Sequence, residues 1–73
     1  MTGNGVHTVP AEGRWANEVD GRRIGSLFDR KGDAVAAGRD LAIRAGLEHH
    51  IHNEAGQVTE KNSYGHDPRS IPG

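Results

Sequence analysis

The sequence predicts an α+β domain: a small antiparallel sheet, made of a three-stranded meander and a C-terminal hairpin, with one amphipathic helix on one face. Three observations lead there. Residues 29–46, DRKGDAVAAGRDLAIRAG, form the one stretch with a helical period. The residues before it alternate in twos between turn signals, and the residues after it hold two more extended runs around a glycine-bearing loop.

Taken in order, Met1 to Gly5 is a polar, glycine-containing lead that is expected to fray. Val6 to Val9 is a β-branched run closed by Pro10, which has no ladder donor and so ends a strand or sits at an edge. A turn at Ala11-Glu12-Gly13 follows. From Arg14 to Val19, Trp15, Asn17 and Val19 point one way, and Ala16 and Glu18 the other. Asp20-Gly21 is a two-residue hairpin signal. Ile24, Ser26 and Phe28 then alternate against Gly25 and Leu27.

In the helix, Ala34, Val35, Gly38, Leu41, Ala42 and Ala45 form one stripe at spacings of three and four. Asp29 is placed to cap the start, Asp33 and Arg44 suit the two ends of the helix dipole, and Gly46 is the left-handed stop. Leu47 to His52 is extended, with Leu47, His49 and Ile51 on one face. Asn53-Glu54-Ala55-Gly56 is a hairpin loop with Gly56 placed for a left-handed bulge, and Val58 to Lys61 is a last, weak strand. The helix covers one sheet face. The other is either solvated or a contact surface.

Length and composition narrow the classes. A single domain of 73 residues buries only about 60% of its unfolded surface. It has no cysteine to staple it and three aromatic residues, so its core is thin and a dimer is one remedy. The net charge of −1 gives no global pull towards nucleic acid or anionic lipid. No apolar run approaches the roughly 20 residues of a membrane span, and the first ten residues lack the pattern of a signal peptide. The expectation is a cytoplasmic protein without membrane contact.

Several short motifs occur together: His7 and Pro10, the Gly13-Arg14-Trp15 turn, the helix with Ala34 and Ala42, the hairpin Asn53-Glu54-Ala55-Gly56, and Ser63-Tyr64-Gly65-His66-Asp67-Pro68. In that order, from about Val6 to Pro68, the chain resembles the bacterial domain-of-unknown-function family 2188. The family usually has Thr where this chain has Arg30, which implies Asp29 as the replacement cap. It also tends to place apolar or larger residues where this chain has Asn17 and Gly38. The resemblance implies a fold and carries no activity or functional residue with it.

Two clusters have chemistry to offer. His49, His50 and His52 lie close together, with His7 and His66 elsewhere. On a strand His50 and His52 share a face, where two imidazoles can hold one metal ion, and Glu48 on that face is a third ligand. The competing account is a polar, solvent-facing strand, with His49 packed beside Leu47 and Ile51. The second cluster is basic. Arg14, Arg22, Arg23, Arg30 and Lys31 sit at turns and strand ends, and Trp15 offers an aromatic platform beside Arg14, a combination found in single-strand binders. Against it, Asp20, Asp29 and Asp33 are interleaved, so solvated turns with local ion pairs account for the same residues, and Trp15 for a core position.

Enzyme signatures are missing: there is no cysteine nucleophile, no phosphate-cradling glycine loop and no helix-borne pair of metal-binding histidines. A chain this small leaves little room for a pocket of roughly 300 Å³ or more. The expectation is a non-enzymatic interaction module that needs no cofactor or small-molecule substrate. Its uncovered sheet face binds a protein partner or a second copy. The alternative is a nucleic-acid accessory domain using the basic cluster. Residues 6–64 form the domain, and 65–73 a flexible tail, with Tyr64 ordered against the sheet or helix.

Overall fold

Both turns of the meander close on two consecutive residues with positive φ. These are Glu12 and Gly13 (55° and 75°), then Asp20 and Gly21 (54° and 79°). Such turns match the right-handed twist of the strands they join. The computed structural model describes residues 5–64. Its strands are β1 (Gly5–Ala11), β2 (Arg14–Val19), β3 (Arg22–Phe28), β4 (Glu48–His52) and β5 (Val58–Ser63), with helix α1 (Lys31–Ala45) between β3 and β4.

The meander and the hairpin are not separate pieces of an antiparallel sheet. They join in one five-stranded mixed sheet of order β3-β2-β1-β4-β5, in which β1 and β4 run parallel. The reason is directional. Strand β3 points the same way as β1, and α1 carries the chain back, so β4 sets off in the direction of β1 and β3. Docking at either free edge of the meander then gives a parallel pair. It docks on β1, with Val6 opposite His49, His7 opposite His50, and Thr8 opposite Ile51.

Four local expectations change. β1 runs through Pro10 to Ala11. Beyond Thr8 it has β2 as its one partner, so a residue without an N–H is tolerated there. β3 bulges against β2: Trp15 pairs with Phe28 but Asn17 with Ile24, with Gly25 at φ 79° inside the bulge. β4 begins at Glu48, because the Leu47 N–H is used to close the helix on Ala42 O at 2.9 Å, beside Gly46 at φ 69°. β5 continues past Lys61 to Ser63, and Tyr64 after it is half-buried. Residues 1–4 and the expected tail at 65–73 lie outside the described residues.

The helix start also differs. Arg30, not Asp29, is the N-cap, with extended backbone (φ −114°, ψ 138°) and no side-chain cap bond. Asp29 instead pairs with Arg14, Nε to Oδ1 3.2 Å, so the first-turn N–H groups have Asp33 as their acidic neighbour. On the predicted stripe Ala34, Gly38 and Ala42 are buried, Val35 and Leu41 half-buried, and Ala45 in the last turn exposed. The stripe packs on the face formed by Val6 and Thr8 of β1, Trp15 and Asn17 of β2, and His49 and Ile51 of β4. Three of those six are polar, and they meet under Gly38.

Candidate functional site

The sheet has two faces of opposite character, and each holds a histidine cluster. On the helix side, His49 is 1% exposed, more deeply buried than its place beside Leu47 and Ile51 predicts. The Thr8 hydroxyl donates to Asn17 Oδ1 at 2.5 Å, and Asn17 Nδ2 donates to Ala34 O at 3.0 Å. The single Thr8 proton being spent, its oxygen accepts from His49 Nε2 at 2.8 Å. His49 is thereby a neutral Nε2–H tautomer, and its buried Nδ1 has no partner. A proton added at Nδ1 is buried with no acceptor. Burial, with the charges of Arg39 and His50, holds the imidazole below its usual pKa, against a weaker opposing pull from Glu60.

On the open side, the parallel pairing sets His7 beside His50, their rings stacked with centroids 4.4 Å apart and planes within 6°. His7 Nδ1 lies 3.0 Å from His52 Nε2. His52 Nδ1 is 3.0 Å from Gly56 O, an oxygen that can accept but not donate. His52 therefore carries its proton on Nδ1 and presents a lone pair at Nε2, towards which His7 Nδ1–H points. Burial first, then the neighbouring His50 and His52, keep His7 below its usual pKa, with Glu18 pulling the other way.

The expected trio of Glu48, His50 and His52 does share this face. His50 Nε2 faces Glu48 Oε1 at 3.4 Å, whereas His52 turns to His7 and Gly56. Among the described residues no group of three or more histidine or acidic side chains is arranged to hold a metal ion. His7 is the member that sequence reasoning left out. The sequence carried no local signal for it: His7 and His50 fall into register because β4 joins the β1 edge.

The basic residues divide between two ends of the sheet. Trp15, Arg30 and Lys31 meet Asn53, Glu54 and Ala55 around a groove of about 640 Å³. A second concavity of about 350 Å³ lies beside it, between Pro10, Gly13, Arg14, Trp15 and Glu54. Both exceed the size expected of so small a domain, and both are open concavities bordered by Trp15 and by Glu54 of the β4–β5 loop. Lys31 Nζ lies 5.1 Å above the Trp15 ring, whose side chain is itself almost fully buried. Arg14 is engaged by Asp29. Arg22 and Arg23 start β3 at the far turn, and the Arg23 side chain pairs with Glu12 of the β1–β2 turn, Nη2 to Oε2 3.2 Å. Four of the six predicted residues thus come together and two do not.

A family model described as an uncharacterised protein conserved in bacteria, DUF2188, matches residues 6–64. No curated protein and no solved structure matches the chain. Among the described residues no helix is long and apolar enough to cross a membrane.

Proposed function

The chain belongs to the uncharacterised bacterial family DUF2188, so its function is argued from its own geometry, and we propose that it is a non-enzymatic interaction module whose open sheet face binds a protein surface, in the first instance a second copy. One observation carries this. The described helix lies on one side of the sheet, and the other side presents His7, Val9, His50 and His52, all half-buried, around a buried Ala16. No described element covers that face. Its centre combines apolar groups with imidazoles, which in their uncharged form cost less to remove from water than carboxylates or ammonium groups. Sedimentation velocity tests it: the expected species is larger than the 7.8 kDa chain, and Val9→Lys returns it to monomer. A wild type that stays monomeric at every concentration, with no captured partner sensitive to Val9→Lys, overturns the proposal.

A second account, nucleic-acid binding, is supported by Arg30 and Lys31 in one groove and Arg14 in the adjoining concavity, with Trp15 lining both. Binding of a single-stranded oligonucleotide at low salt that weakens as salt rises, and weakens further in Arg30→Ala/Lys31→Ala, supports it. Salt-independent binding, or none, removes it.

A further inference from the structure

We propose that His7 and His52 form a binding site for a tetragonal transition-metal ion, copper(II) or nickel(II), on the open sheet face. The argument begins with spacing. Two imidazole nitrogens bound to one metal at about 2.0–2.1 Å are separated by about 2.9 Å if they occupy adjacent corners of a square, and by about 3.3 Å in a tetrahedron. His7 Nδ1 and His52 Nε2 are 3.0 Å apart as hydrogen-bonded partners, so the two strands already hold the nitrogens within the span of adjacent corners, and imidazole donors in a tetragonal set suit copper(II) and nickel(II).

The surroundings of the pair are those of metal ligands. A ligating histidine usually donates its other ring N–H to a carbonyl or carboxylate, which fixes the tautomer and the ring direction. His52 does so through Nδ1 to Gly56 O. Gly56 is held in turn by the Asn53 loop, where its N–H meets Asn53 O at 2.9 Å and Asn53 Oδ1 accepts from the N–H groups of Ala55 and Gln57. His7 is steadied by the stacked ring of His50. Gly5 beside it gives that ring its room: a Cβ on Gly5 would lie 2.7 Å from His50 Cδ2.

Binding requires two changes. The proton that His7 holds on Nδ1 moves to its Nε2, and both rings turn about their side-chain bonds so that the two lone pairs, which face each other in the hydrogen-bonded pair, converge on the metal beside it. Each imidazole stays neutral and no proton is lost. No third histidine or acidic side chain completes the set among the described residues, so water fills the remaining corners. The site requires no partner chain, but His7 and His52 also lie on the face proposed for self-association, so the two uses compete, and copper binding is read on the Val9→Lys chain as well to keep them distinguishable.

Copper(II), the strongest binder of the divalent series, is the probe. The experiment uses the full chain carrying His66→Gln, which removes the histidine outside the described residues. Its electron paramagnetic resonance spectrum is expected to show coupling to two imidazole nitrogens. Either His7→Gln or His52→Gln reduces this to one nitrogen and weakens binding at least tenfold, while His50→Gln leaves affinity within about threefold. Should a variant fail to fold, copper-induced line broadening in the His66→Gln chain reports the same site, centred on the His7 and His52 rings. Broadening centred elsewhere, a spectrum unchanged by both substitutions, equal loss in His50→Gln, or no copper bound overturns the assignment.

Discussion

Gly38 of the helix and Asn17 of the sheet share one space: a Cβ at position 38 would lie 2.5 Å from Asn17 Oδ1, and within 2.8 Å of His49 Nε2 and Thr8 Oγ1. The helix approaches the sheet this closely because residue 38 has no side chain, and the approach closes the lid over a polar trio that water does not reach. Elsewhere in a helix, Gly→Ala gains up to about 1 kcal/mol from propensity. Here Gly38→Ala is expected to lose about 1–3 kcal/mol through overpacking against groups fixed by hydrogen bonds, read as a lower urea midpoint. In Asn17→Ala/Gly38→Ala the combined loss is expected to be smaller than the sum of the single losses. Strict additivity would show that the two residues do not compete for the space.

Thr8 is the hub of that trio, donating to Asn17 and accepting from His49. Thr8→Val keeps the shape and removes both bonds, leaving Asn17 Oδ1 and His49 Nε2–H unpaired and buried. The expected cost is about 1–3 kcal/mol. Thr8→Ser keeps the hydroxyl and is expected to lose less, despite the missing methyl. Equal losses in the two variants would assign the effect to packing alone.

Stability is expected to fall on mild acidification. His49 and His7 are both held below the usual histidine pKa of about 6.5 in the folded chain. As pH drops through about 6.5 the unfolded chain takes up protons that the folded chain refuses. The unfolded state then binds more protons, so stability is full above the unfolded pKa and declines below it, until the folded pKa values are reached. Urea midpoints measured from pH 7.5 to pH 5 should decline, and should decline less in His49→Gln. A midpoint that rises on acidification would contradict the sign.

The helix start offers a gain. Arg30 occupies an N-cap with the extended backbone that suits Ser, Asp or Asn, yet makes no cap bond, and it adds positive charge at the positive end of the dipole. Arg30→Ser is expected to stabilise by about 0.5–2 kcal/mol, visible as a higher melting temperature. No change would mean that Asp33 or solvent already satisfies the first-turn N–H groups. The substitution also removes a cation from the Trp15 groove, so in the same variant any oligonucleotide binding should weaken.

What the sequence determined is local. The helix over Lys31–Ala45, its left-handed stop at Gly46, the turns at Glu12-Gly13 and Asp20-Gly21, and the bulged loop ending at Gly56 each follow from a few neighbouring residues, because period, dipole and positive φ act over one or two turns of chain. The cap expected at Asp29 fell instead to Arg30, and the Asp29 carboxylate pairs with Arg14, a residue distant in sequence. Strand direction was also within reach of the sequence, since three strands and a returning helix force β4 to run with β1. Which edge it joined was decided by tertiary packing. Joining β1 sets Val6 and Thr8 against His49 and Ile51 on the helix side. The same register brings His7 to within hydrogen-bonding reach of His52 on the other side, across 45 residues of sequence. That meeting exists because paired strands bring together residues far apart in sequence, which no local pattern encodes.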